Sequence, residues 1–267
     1  MGAGSSSSPA GGRAYKEPLQ AKEGHVVREG GSAEKRRYVR GMFNAIARRY
    51  DLLNHILSAG LHLRWKRFAA AASQVPRDGR ALDVCSGTGD LAFLLSSHVG
   101  PEGLVVGVDF APEMLRIAQE RASLRPHFRA VQFVCADAEQ LPFRDGSFDA
   151  VTIGFGIRNV VAVDQALREM FRVLRPGGRL VVLEFSRPVP RLVRFLYNLY
   201  SATLIPWIGR ILSGHPDAYR YLPTSIRSWP DPVAFTHLLE AAGFQPLNCR
   251  LLCTGIAALH VVVKPGS

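Results

Sequence analysis

The sequence predicts an α/β fold, a doubly wound and mostly parallel sheet with helices on both faces. Three observations carry that expectation. Apolar runs of five to seven residues alternate with amphipathic segments between residues 79 and 186. The runs are mostly apolar without a polar face, as strands covered on both faces require. A glycine-rich turn follows the first run, where a doubly wound sheet binds its ligand.

The elements follow in order. Arg80–Cys85 (RALDVC) reads as the first strand, and Ser86-Gly87-Thr88-Gly89-Asp90 turns into a helix over Leu91–His98. Leu104–Asp109 is the second strand, with a helix over Pro112–Leu124 behind it. Val131–Cys135 and Phe148–Gly154 are the third and fourth, and a helix spans Asp164–Leu174. Arg175-Pro176-Gly177-Gly178 reads as a turn before a fifth strand, Arg179–Phe185. Right-handed crossovers then place the ligand at the carboxyl ends of the strands. Outside this unit, residues 1–38 read as a flexible basic tail and 39–76 as an N-terminal helical lid. The main domain is 77–267, with an inserted helical cap at 187–230. Its apolar stretch Phe195–Leu212 is interrupted by Asn198, Pro206 and Arg210, which favours two short amphipathic helices over a membrane span.

The chain has 267 residues and a formal charge of +11. That length and composition exclude a disordered chain, a disulfide-stapled miniprotein and a collagen-like fibre. The charge is uneven: +8 over residues 1–70, −2 over 71–186, +5 over 187–230 and zero beyond. Basic flanks around a slightly acidic centre favour an anionic membrane surface as partner over nucleic acid. In the cap, Arg187, Arg191, Arg194 and Arg210 alternate with Phe195, Tyr197, Tyr200 and Trp207, which suits cations snorkelling over an apolar surface. The four cysteines form no CxxC pair, so buried free thiols, no metal site and a reducing compartment are expected. With no apolar signal region, the expected location is cytoplasmic, at the inner face of the membrane.

Gly87-x-Gly89 with Ala92 fits the fingerprint shared by dinucleotide and S-adenosylmethionine (SAM) enzymes. Asp83, Asp109 and Asp137 are expected to line one crevice, with no Lys or Arg beside them. Such a crevice repels a diphosphate and suits a cationic sulfonium nucleoside. Asp109 can accept both ribose hydroxyls and Asp137 the adenine amine.

The motifs LDVCSGTGDLAF, VGVDFAPEML, ADAEQLPFRDGSFDAV and REMFRVLRPGGRLVVLEF resemble those of the Rossmann-like class I SAM-dependent methyltransferases. The flanks narrow the likeness. Tyr50-Asp51-Leu52-Leu53-Asn54 with Ser58-x-Gly60-x-His62-x-x-Trp65-Lys66 is similar to the N-terminal signature of the ubiquinone/menaquinone biosynthesis C-methyltransferase family. Gly154-Phe155-Gly156-Ile157-Arg158-Asn159-Val160, Leu183–Pro188, Tyr219–Ile226 and Gly255–His260 continue it, so residues 40–263 are covered. Gly154 departs from the pattern, since some members carry Ser there.

The resemblance implies SAM as cofactor and methyl transfer to a ring carbon of a prenylated quinol. It also implies that Thr88, Asp109, Asp137 and Ala138 contact the cofactor; Asp83, Gly87, Gly89, Phe110 and Gly154 complete the expected set. For catalysis, Arg158 can stabilise a phenolate or orient a water, with Asn159 fixing the geometry. Asp51 or His62 is the expected proton acceptor, with Tyr219 or Tyr221 as relay. A homodimer or a quinone-biosynthesis partner is compatible with this reading. The alternatives are a methyltransferase acting on another lipid or phenol, a nucleic-acid methyltransferase, and an NAD dehydrogenase.

Overall fold

The computed structural model describes residues 31–125, 128, 131–188, 190, 191, 195 and 216–266, with side chains from 221 onward in the last stretch. Strands β1 (Arg80–Val84), β2 (Leu104–Asp109), β3 (Val131–Cys135), β4 (Phe148–Gly154) and β5 (Leu174–Phe185) run parallel. A C-terminal pair, β6 (Gln245–Leu252) and β7 (Ala257–Val263), completes a seven-stranded sheet in the order β3-β2-β1-β4-β5-β7-β6. Strand β7 pairs antiparallel with both β5 and β6. The order reverses at β1, so the switch point, and with it the crevice, lies between β1 and β4 at their carboxyl ends.

Alternate residues of β1 serve opposite faces, which explains why it is mostly apolar on both sides of Asp83. Leu82 and Val84 pack with Ile153, Leu180 and Phe235 on one side, and Ala81 packs with Val105, Val181 and Leu95 on the other. Helices α3 (Asp90–Val99), α4 (Pro112–Ser123), α5 (Val163–Val173) and α7 (Pro232–Ala241) bring the covering side chains. Helix α7 starts at a well-made cap, where Asp231 accepts from Val233 N at 3.0 Å and Ala234 N at 2.9 Å, with Pro232 in the first turn.

Two N-terminal helices lie over this unit. Helix α1 (Ser32–Leu57) packs on α4 through Ile46, Ala47 and Leu53 against Ala111 and Met114. It starts within the span that composition assigns to the tail, because Val39, 1% exposed, already anchors its first turns. Gly60, at φ 75°, turns the chain into α2 (Leu61–Ala72).

Three further expectations change. The turn at Arg175–Gly178 lies inside β5: Gly177, at φ 77°, donates to Lys264 O at 2.8 Å, and Lys264 N donates to Gly178 O, so pairing with the C-terminal end keeps the segment in the sheet. The cysteines are not uniformly buried, for Cys85 is half-buried while Cys135, Cys249 and Cys253 are exposed. Cys135 closes β3 at the edge of the sheet, where among the described residues one side has no neighbouring strand. Of the cap, α6 (Pro216–Ser228) is described, whereas Arg194, Tyr197, Tyr200, Trp207 and Arg210 lie outside the described residues. Among the described residues no helix is long and apolar enough to cross a membrane.

Candidate active site

At the carboxyl ends of β1 and β4 the backbone leaves the strands in left-handed conformations, at Cys85 (φ 54°) and Phe155 (φ 58°). Such strain in non-glycine residues persists only where surrounding structure enforces it. The two loops approach so closely that a Cβ on Gly156 would fall 2.4 Å from the Cys85 Cβ. Two small adjoining hollows result, sharing Cys85, Asp109, Phe110, Gly156 and Asn159 as walls. Asp109, at the end of β2, accepts from Gly87 N at 2.8 Å and Ala111 N at 2.9 Å, which fixes its carboxylate against the glycine turn. Burial pushes its pKa up to about 6 against those hydrogen bonds. Asp137 and Ala138 line the far hollow, and Gly154 the near one.

Not every expected acid faces the crevice. Asp83, 1% exposed, lies beneath it, accepting from Thr152 Oγ1 at 2.8 Å, and burial raises it to about 6. The expectation that no cation adjoins the carboxylates also fails. Helix α1 folds back across the sheet, so Arg36 brings its Nε to 3.1 Å from Asp137 Oδ2 and pairs with Glu139 through Nη2. One guanidinium between two carboxylates still leaves that end negative. The walls therefore fit a sulfonium nucleoside. Asn159 Oδ1, buried and without a protein partner among the described residues, adds an open acceptor.

Beyond Asn159 lies a cavity of about 500 Å³. Its walls are mostly apolar, from Met42, Ile46 and Leu53 of α1, Trp65 of α2, and Leu222 and Ile226 of α6. Phe43, Tyr50, Phe155 and Asn159 belong to both this cavity and the near hollow, so the two spaces meet there. Arg158 enters the cavity from the 3-10 turn after β4. Its Nη1 donates to Glu184 Oε1 at 2.8 Å and also to Phe155 O, and its guanidinium lies 5.2 Å from the Phe185 ring centroid. Glu184 also accepts from Phe185 N at 2.8 Å; burial raises its pKa and Arg158 opposes the rise. Phe185 likewise walls the cavity.

His62 and Tyr221 also line it. The Ser58 hydroxyl donates to Asn54 O at 2.6 Å, so the 2.7 Å contact between Ser58 Oγ and His62 Nδ1 must use the imidazole proton. That leaves Nε2 as the unprotonated acceptor. Burial, then Lys66, lowers His62 to about 4, so the ring is neutral at physiological pH. The side chain of Tyr219 lies outside the described residues.

Asp51 and Thr88 meet elsewhere. Thr88 Oγ1 donates to Asp51 Oδ1 at 2.6 Å, and Arg121 Nη1 donates to Thr88 O at 2.8 Å and to Asp51 Oδ2 at 3.1 Å. Arg121 Nη2 reaches Asp90 Oδ1 at 2.7 Å, and Lys66 Nζ donates to Asp90 Oδ2 at 2.9 Å. Burial disfavours the Asp90 carboxylate, but Lys66 and Arg121 outweigh it and hold the pKa at about 2. The network fastens α1 and α2 to the glycine turn. Glu184, Tyr50, Lys66, Arg36 and Arg121 are site residues absent from the expected set. Tyr50, Lys66 and Glu184 stand inside the quoted motifs; nothing local marks Arg36 or Arg121.

The comparisons with known proteins give the family to which this fold belongs. The ubiE/COQ5 methyltransferase family model matches residues 31–264. The chain belongs to that family. It is 43% identical to the Ubiquinone/menaquinone biosynthesis C-methyltransferase UbiE of Pseudomonas putida (strain GB-1), covering 87% of this chain and 91% of that one. The protein of the same name from Azotobacter vinelandii is 44% identical, covering 87% and 92%. Among solved structures, a SAM-dependent methyltransferase of Thermotoga maritima superposes with a TM-score of 0.60 at 19% identity, over 85% of this chain and 99% of that one. The cyclase SpnF also gives 0.60, at 21% identity over 77% and 81%. These structures establish the fold. As a ubiE/COQ5 member the protein is a methyltransferase, and SAM is its expected cofactor.

Proposed function

We propose that this protein methylates a ring carbon of a prenylated quinol in menaquinone or ubiquinone biosynthesis, with SAM as donor. The supporting observation is the junction at Phe43, Tyr50, Phe155 and Asn159 between an acidic cradle and an apolar cavity of about 500 Å³. A cavity of that size accommodates an aromatic ring with the first isoprene units of its tail. When bound, the cofactor supplies an electrophilic methyl group on a sulfonium centre. Asp109 holds the ribose and Asp137 the adenine amine, with Arg36 closing over the same end.

The protein's own task is to hold the ring in line and manage its proton. Arg158, kept in place by Glu184, and Asn159, through its Nδ2 donor, hold the ring oxygen next to the reacting carbon and stabilise it as phenolate. His62 Nε2 accepts a hydrogen bond from the ring hydroxyl and, with its pKa lowered to about 4, orients that proton rather than keeping it, and Tyr221 orders the far wall. Asp51 holds Thr88 and the glycine turn rather than the substrate. Apolar walls exclude water, which strengthens these polar contacts.

The finer location is part of the same proposal. Arg37, Arg48, Leu52 and Ile56 form an exposed stripe along α1, and Ile56 also lines the cavity. A basic stripe with apolar tips at the cavity wall suits an anionic bilayer from which a polyprenyl quinol enters. Labelled-methyl transfer to demethylmenaquinol and to the benzoquinol analogue, side by side, tests the function. Incorporation into either is expected; incorporation into neither by protein that binds SAM would overturn it.

A further inference from the structure

The network at the glycine turn engages only one of the donors of a buried ammonium on the cavity wall. Lys66, on α2, is 9% exposed and lines the large cavity. An ammonium carries three donors. Its Nζ donates to Asp90 Oδ2 at 2.9 Å, and among the described residues it has no second hydrogen-bond acceptor. Asp90 is already served by Arg121 at 2.7 Å, so the ion pair alone does not account for a second cation beside it. Buried donors left without acceptors are costly, and the cavity is the side from which an acceptor can come.

The neighbours show where that acceptor would sit. Burial raises the Tyr50 phenol, while Lys66, a hydrogen bond with Asn54, and Arg158 oppose the rise, so both cations act on the same hydroxyl. Tyr50 stands at the junction with the cofactor cradle. Arg158, from the turn after β4, and Lys66, from α2, line the same cavity as Tyr50 from two different elements. A 1,4-quinol carries one oxygen at each end of its ring, and a monophenol carries only one.

We infer that Lys66 donates to the second ring oxygen of the substrate, opposite the oxygen held by Arg158 and Asn159, and so selects para-dihydroxy rings over monophenols. This rests on the quinol reading above. Lys66 is thus a specificity-determining residue that touches substrate, while Asp90 and Arg121 position it.

The test uses the full-length protein, Lys66→Met and Lys66→Arg. Labelled-methyl transfer is measured on a geranylated 1,4-naphthoquinol and on the matching 1-naphthol that lacks the second hydroxyl. For the unaltered protein, kcat/KM on the naphthol should fall below that on the quinol by roughly 10- to 100-fold, the worth of a charge-assisted hydrogen bond. Lys66→Met should lose activity on the quinol alone, bringing the two substrates to within about threefold, and Lys66→Arg should restore part of the difference. Because Lys66→Met also removes one partner of Asp90 beside the glycine turn, it is read by the ratio of the two substrates, and SAM affinity, measured by calorimetry, should be unchanged in Lys66→Arg. Equal losses on both substrates in Lys66→Met would overturn the inference, and so would a ratio near one in the unaltered protein, which needs no variant to fold. Transfer to neither substrate by the unaltered protein would instead overturn the quinol reading itself.

Discussion

Arg158 and Glu184 are 7% and 3% exposed at the side chain, and each is the other's counter-charge. A pair this deep adds little net stability, because desolvation offsets attraction, but removing one partner strands the other. Glu184→Gln should therefore destabilise the fold by about 3–5 kcal/mol in denaturant titration and lower kcat more than SAM affinity. A change below about 1 kcal/mol would mean that water reaches the guanidinium. Asp109 supports a pH-dependent outcome. Burial raises its pKa to about 6, so below that pH it is protonated and loses the charge that a sulfonium ligand favours. SAM affinity should then rise with pH through about 6 and level off above it, with Asp109→Asn flattening the curve. The sign for stability is opposite: the folded protein binds a proton there that the unfolded protein has lost, so this group's contribution falls as pH rises from the ordinary Asp value through 6. A calorimetric affinity series alongside denaturant titrations, both from about pH 5 to pH 7.5, separates the two signs.

At the scale of elements, α1 and α2 act as a lid fastened by charge. Arg121 joins Asp51 of α1, Thr88 of the glycine turn and Asp90 of α3. Arg121→Ala should release α1 from the turn, raising amide hydrogen exchange across Ser32–Leu57 while β1, β4 and β5 keep their protection. Its cost should be about 1 kcal/mol, since the side chain is 32% exposed and solvent screens the pairs. Unchanged exchange in α1 would show that the apolar contacts of Ile46 and Leu53 hold the lid alone. The elements also show what could be read from sequence. Strands β1, β2 and β4 were legible because both faces are covered, so most of their positions are apolar and the polar exceptions, such as Asp83 and Thr152, pair with one another. Strand β6 (QPLNCRLL) was not, since all its residues but Leu252 are exposed at the sheet edge and its pattern is that of a loop. The cofactor cradle was legible where motif and chemistry coincide, at Gly87, Asp109 and Asp137. Arg36 and Glu139, 103 residues apart, gave no such signal, because only the return of α1 across the sheet brings them together.

For the whole molecule, the charge of +11 and the large cavity bear on one question, how a polyprenyl substrate reaches a site with no membrane-spanning helix among the described residues. Arg37, Arg48, Leu52 and Ile56 share the exposed face of α1, and Leu52 is 54% exposed. Each basic residue near an anionic bilayer contributes about 1 kcal/mol, and each apolar side chain that enters the interface adds to it. The combination should give reversible, salt-sensitive docking with the cavity wall turned to the lipid. Sedimentation with vesicles containing phosphatidylglycerol should therefore retain the protein at low salt and release it as ionic strength passes that of a Debye length of about 8 Å. Leu52→Asp with Arg48→Glu, neither of which lines the cavity, should abolish retention and raise KM for a long-chain quinol, while SAM affinity and turnover of a short-chain, water-soluble quinol remain near normal. Equal retention on purely phosphatidylcholine vesicles would remove charge from the explanation. Unaltered retention by the double variant would move the docking face away from α1, to the basic residues of the cap.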